Sequence, residues 1–305
     1  VGCSEPAAAG LETTVPRGRE QAECPPLHPL PRLELKLTIV LFLLAFAATH
    51  PCFAATNEPA AARPRIVLLD PPEKDFFSKQ LDFQGIPIKA HKVVVDDALY
   101  AAHDRLSMML SNLPMVVSNL TASGVELHII GRDQVTTDLP EWRHDKGKPI
   151  WEPTYNGMTR DQRTRGMGGR LTSCGEENLL KLEKDKYRGR DICLHEFAHS
   201  VRNFGLPREV RGRFDAQYRR SLEQGRWVKS YAGSNPDEFF AELTMWYFGT
   251  HGDLNMTGPK PENGPEGLKK YDPEAFALFD DFYRGRIPVG KVDRRRDWSE
   301  QDDDG

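Results

Sequence analysis

Apolar positions along the chain change period several times, and each change marks a predicted element. IVLLD (66–70) is a short run of branched apolar residues, and PIKAHKVVV (87–95) is another, so both are expected to be strands. In DDALYAAHDRLSMMLSNL (96–113), Leu99, Ala102, Leu106, Met109 and Leu113 recur every three or four residues behind two aspartates, which predicts an amphipathic helix. VELHII (125–130), bounded by Gly124 and Gly131, reads as a strand. Residues 138–169 lose all periodicity and are rich in Gly, Pro and charge, the mark of a long loop. Helical spacing returns in 207–225, 236–249 and 272–285. Early strands mixed with helices, followed by a helical C-terminal third, predict an α+β fold.

Upstream of the first strand, LKLTIVLFLLAFAATHPCFAAT (35–56) sets an apolar run after a lysine and before small residues. The run falls short of the ~20 residues that span a bilayer but suits a secretory signal. Residues 35–54 are therefore expected to be a signal peptide cut after Ala54. Residues 1–34, rich in Pro, Ala and Glu, remain unassigned and fit an over-extended gene start. A leader (55–64), one folded domain (65–290) and a charged tail (291–305) complete the expected organisation. Cleavage at Ala54 would leave no stable membrane anchor and a secreted, periplasmic or otherwise extracytoplasmic protein.

Composition sharpens this picture in two places. The formal net charge of −4 gives no general attraction to nucleic acid or to an anionic membrane. Of 5 cysteines, only Cys174 and Cys193 lie beyond the signal, and an even pair in an exported chain is expected to form one disulfide. Asn119-Leu120-Thr121 and Asn255-Met256-Thr257 match the glycosylation acceptor pattern.

The chemistry concentrates in DICLHEFAHSVRNFGL (191–206), where His195 and His199 stand four apart with Glu196 after the first. On a helix, that spacing points both imidazoles to one side, where they can share an ion. Glu196, about 100° round the helix, is aimed instead at a water the ion would hold. Ile192, Leu194, Phe197, Ala198 and Val201 make the segment mostly apolar, hence buried, and buried histidines and carboxylates need partners. A catalytic zinc usually takes a third protein ligand. YAGSNPDEFFAELTMWYF (231–248) offers Glu238 and Glu242, one turn apart on a helix largely apolar around its girth. Glu238 could equally be the capping-box partner of Asn235, and Glu242 a solvated helix former.

These residues resemble the gluzincin peptidases typified by the catalytic domain of anthrax toxin lethal factor, with the Mlc titration factor peptidases and Pro-Pro endopeptidases as relatives. HExxH is joined there to Tyr, six residues and Glu, commonly followed by Phe-Phe-Ala, as in Tyr231 to Glu238-Phe239-Phe240-Ala241. The resemblance covers residues 191–250. It implies a zincin-like fold, a small sheet over the HExxH helix with a helical C-terminal subdomain, and one Zn²⁺ on His195, His199 and Glu238. It further implies Glu196 as general base, Tyr231 as catalytic tyrosine, and Glu242 orienting a ligand from behind. The expected substrate is a peptide or protein. TRGMGGRLTSC (164–174) is the candidate for the strand or loop that meets it, because Gly166, Gly168 and Gly169 permit close backbone approach, although a structural turn explains those glycines about as well. A zincin-like binding or sensor module without activity is the alternative from another class, and zinc hydrolysis of a non-peptide substrate would use the same ligands.

Overall fold

In the computed structural model, which describes residues 63–151, 155–251, 256 and 260–293, the fold starts with antiparallel strands β1 (Val67–Glu73), β2 (Phe77–Phe83) and β3 (Ile86–Ala90). Gln84 and Gly85 both take positive φ, 50° and 91°, the geometry of a two-residue turn whose twist matches the flanking strands. Asp82 accepts the Gly85 amide at 3.0 Å and closes it. Along β2 the buried residues Phe77, Leu81 and Phe83 share one parity, so the hairpin presents an apolar face.

Helices α1 (Asp96–Leu110) and α2 (Pro114–Ala122) then carry the chain to β4 (Glu126–Ile130), which lies parallel to β3. A parallel pair requires such a crossover. After a long irregular segment come α3 (Arg160–Arg163), β5 (Gly166–Met167), β6 (Leu171–Gly175) and α4 (Glu176–Leu179). The mixed sheet has the order β1-β2-β3-β4-β6-β5, with β6 parallel to β4 and β5 antiparallel to β6 at the edge. Helices α5 (Ile192–Ser200), α6 (Arg208–Glu223), α7 (Pro236–Tyr247), α8 (Pro265–Tyr271) and α9 (Pro273–Tyr283) complete the α+β fold.

One core runs from sheet residues such as Leu81, Ile88 and Leu127 through Phe197 of α5 to the C-terminal helices. There, Phe214 meets Phe240, Phe279 and Phe282 edge-on at 4.8, 5.2 and 5.5 Å, locking α6 to α7 and α9. Helix α5 packs on β6 and β5 on one side and on α7 on the other. Among the described residues, no helix is long and apolar enough to cross a membrane.

Several expectations change in detail. The strand predicted to reach Val95 ends at Ala90, because the chain turns where the Val94 amide bonds to His91 O at 3.0 Å, leaving Val93 and Val95 exposed. The helix predicted to reach Leu113 stops at Leu110, and Pro114 starts a separate helix instead of continuing the first. Strand β2 and helices α2 and α8 were not anticipated. The stretch 138–169 is largely irregular, as expected, with short 3₁₀ turns near its start and α3 near its end. Cys174 and Cys193 form a disulfide joining β6 to α5, with Cα atoms 5.0 Å apart. The sequon at Asn119 is sealed: its side chain is buried and bonds Gly205 O, Gly290 O and the Val292 amide. The segment expected to be a signal peptide, residues 1–62 generally, Asn255 and the end of the tail lie outside the described residues.

Candidate metal centre

The first turn of α5 is pinned from three directions. Asp191 caps it by accepting the Leu194 amide at 3.1 Å and pairs with Arg105 Nε at 2.6 Å. Asn178 accepts the Ile192 amide at 2.8 Å and donates to Arg190 O at 2.7 Å. The disulfide adds a covalent tie one residue further on. From this anchored helix, His195 and His199 turn their Nε2 atoms to within 3.3 Å of each other.

Helix α7 brings the third group. Asn235 accepts the amide of Glu238 at 2.8 Å, so the cap is real, but the Glu238 carboxylate leaves the cap and points at the histidines. Its Oε2 lies 3.2 Å from His195 Nε2 and 3.7 Å from His199 Nε2. Ligand atoms about 2.0–2.1 Å from a tetrahedral zinc stand about 3.3–3.4 Å apart, close to the triangle found here. Glu238 Oε2 is buried and has no hydrogen-bond partner of good geometry within the protein. The donor set therefore fits a divalent ion. Glu196 also has an oxygen within 4.8 Å of both imidazole donors, but Glu238 closes the tighter triangle.

Burial and mutual charge shift the titrating groups here from their ordinary values. Burial opposes charge on His195, yet Glu238 and Glu242 outweigh it and raise the imidazole to about 10. His199, buried and facing that charge, is lowered to about 4. Burial, with Glu238 nearby and against the pull of His195, lifts Glu196 to about 7.

Behind His195 lies a polar layer. Glu242, fully buried, sets Oε1 3.2 Å from His195 Nδ1, accepts His251 Nε2 on its other oxygen at 2.7 Å, and pairs with Arg190. Burial works against its charge, but these partners hold its pKa well below the ordinary range. His251 stacks on Trp246 at 4.2 Å. Arg190 and His251 were missed in the sequence, since neither sits at a motif spacing and only the folded chain brings them to Glu242.

Tyr231 donates to Glu238 Oε1 at 2.8 Å and lies over His195 with ring centroids 6.2 Å apart. Burial and the Glu238 charge push its hydroxyl pKa upward, so it stays a donor. Its segment is held by Trp227, whose indole donates to the buried Asp272 at 2.8 Å. Gly233 is required beneath it, because a Cβ there would lie 2.1 Å from Trp227 O.

The glycines of β5 are used against α5 itself. A Cβ on Gly166 would come within 2.6 Å of Ile192 and 3.0 Å of Glu196, and one on Gly168 within 2.9 Å of His199. Their absence lets the edge strand press onto the histidine helix. Gly169 takes φ 121° and its carbonyl accepts Thr172 and Ser200 hydroxyls, a turn function. Between β5 and the Lys229–Tyr231 segment opens a cleft of about 780 Å³, with His195, Glu196, His199 and Glu238 on its lining.

No protein-family model matches the sequence, and neither does any curated protein. Among solved structures the chain is similar to the Pro-Pro endopeptidase PPEP-2 from Paenibacillus alvei, at 18% identity and a TM-score of 0.46, over 64% of this chain and 96% of that one.

Proposed function

We propose that this protein is an exported zinc-dependent peptidase of gluzincin type, with a catalytic domain over residues 65–290 and His195, His199 and Glu238 as its ligands. The observation that carries the proposal is the meeting of two imidazole nitrogens and the orphaned Glu238 Oε2 from separate helices at 3.2–3.7 Å, beside an open cleft. A structural site would leave Glu196 and Tyr231 without work, which disfavours a binding or sensor module. The disulfide agrees with an oxidising compartment.

Bound zinc supplies Lewis acidity to a substrate carbonyl and acidifies water. The protein supplies the rest. Glu196, facing the cleft beside the histidines, takes a proton from the attacking water as its oxygen bonds the scissile carbon. It passes that proton to the amine as the carbon–nitrogen bond breaks. Tyr231, protonated and beside the centre, turns its hydroxyl from Glu238 to the oxyanion, a contribution of about 2.7–4 kcal/mol by analogy with other oxyanion donors. Arg190 and His251 hold Glu242, and Glu242 fixes the ring of His195.

Metal analysis of the purified protein, together with mass spectrometry of a digested peptide library, tests the reading. One zinc per chain and cleavage blocked by a chelator are expected. A protein that binds no zinc, or a zinc-loaded one that cuts no peptide, refutes it.

A further inference from the structure

The cleft carries a cation, Arg163, that is no part of the metal centre although its charge reaches Glu196 and Tyr231. Arg163, the last residue of α3, lines the cleft three positions before Gly166 of β5. Its guanidinium donates to the Tyr155 hydroxyl at 2.9 Å and lies 4.3 Å over that ring, both neutral partners. Lys186 sits alongside, donating to Arg163 O at 3.0 Å, with its ammonium 5.2 Å from the ring centre of Tyr187, itself a cleft residue. Neighbouring Arg165 is neutralised by Glu177, with contacts of 2.8 and 2.7 Å. Arg163 and Lys186, by contrast, pair with no carboxylate among the described residues. Burial lowers the Lys186 pKa, Arg165 and Arg163 lower it further, and Glu177 pulls the other way.

Arg163 ends α3, three residues before the edge strand begins at Gly166, and Gly166 is where that strand lies against Glu196. An extended peptide added to β5 would cover the intervening three residues in about 10 Å. We infer that the part of the cleft lined by Arg163, with Lys186 beside it, is a carboxylate subsite, selecting substrates with an acidic side chain or a free C-terminus about two or three residues from the scissile bond. Guanidinium and ammonium together give a forked donor and a point charge, a combination suited to a carboxylate. The substrate interpretation rests on the peptidase proposal; the subsite itself can be tested by binding alone.

The test uses zinc-loaded protein carrying Glu196→Gln and fluorescence anisotropy with labelled, end-blocked extended peptides bearing Glu, Gln or Lys at each position in turn. A second arm compares free with amidated C-termini and so separates the two carboxylate sources. Expected is about 5- to 10-fold tighter binding of a peptide with one carboxylate over its neutral counterpart, with the lysine version weakest. Arg163→Gln should abolish the preference, Lys186→Gln should reduce it, and Arg163→Lys should keep most of it, which separates charge from a folding defect. Equal binding of Glu, Gln and Lys peptides, a preference for lysine, or no binding of any peptide overturns the inference. Acid-selective binding combined with a wild-type protein that cleaves nothing would leave the subsite standing while refuting the peptidase proposal.

Discussion

Two places in this molecule bury a histidine between carboxylates, and they are built to opposite ends. On the sheet, His128 of β4 sets Nδ1 2.6 Å from Glu141 and Nε2 2.9 Å from Glu126, which is bridged by Lys89 at 2.8 Å. Phe77 covers the ring at 4.4 Å. Both nitrogens are spent, no second imidazole converges, and the cluster is a closed ion-pair network. Between α5 and α7, two imidazoles turn toward one another and toward Glu238, an arrangement that protonation of both rings would break by like-charge repulsion. Each cluster leaves one buried carboxylate oxygen without a hydrogen bond, Glu141 Oε2 and Glu238 Oε2. An orphan oxygen alone therefore does not mark a cation site. Convergence of lone pairs on one point beside a cleft does.

That contrast can be broken or sharpened by experiment. The largest effect is expected from Glu196→Gln, which should lower peptide cleavage about 10²–10⁴-fold while zinc content stays at one ion per chain; a variant that still cleaves at the wild-type rate would remove Glu196 from the mechanism. In the closed cluster, His128→Leu should leave zinc content unchanged but cost about 3–5 kcal/mol in chemical denaturation, because Glu141 stays buried with no cation. Glu242→Gln should weaken zinc binding about 10–100-fold in a chelator competition, since the grip on His195 Nδ1 loosens.

The smallest effect is a pH dependence. Burial opposes the His128 charge, but Glu126 and Glu141 raise its pKa above 6.5, so its stabilisation is full below 6.5 and fades as pH rises through the raised value. Burial likewise opposes the charge on Glu126, but His128 and Lys89 lower it from 4.5 to about 2, so its contribution is full above 4.5 and fades as pH falls toward 2. The cluster should stabilise the fold most between about pH 4.5 and 6.5, and denaturation midpoints of wild type minus His128→Leu should show that plateau. A difference independent of pH would mean that His128 is not charged in the folded protein.

Much of this was legible beforehand, and the exceptions are instructive. Helices α6 and α9 could be read because each has an apolar face, and α7 because it is apolar around most of its girth and Asn235-Pro236 marks a helix start. Strand β2 was missed although Gln84-Gly85 and the parity of Phe77, Leu81 and Phe83 announce a hairpin. Around Glu238 the motif permitted two readings, a cap partner or a ligand, and both have a physical basis: the amide serves the cap while the carboxylate serves the histidines. The glycines at 166, 168 and 169 permitted two readings, close approach to a substrate or a structural turn; in the fold, missing side chains at Gly166 and Gly168 let the edge strand lie against α5, and Gly169 makes a turn.

By itself, the sequence determined the periodic elements, the HExxH helix and the pairing of the two cysteines, because these depend on spacing within a segment or on a count. Tertiary structure alone decided that the Glu238 carboxylate turns from its cap to the imidazoles, that Arg190 and His251 stand behind Glu242, and that Lys186 bonds the carbonyl of the cleft residue Arg163. Those contacts join residues far apart along the chain, and their strength depends on distance and burial, quantities that exist only once the helices have packed.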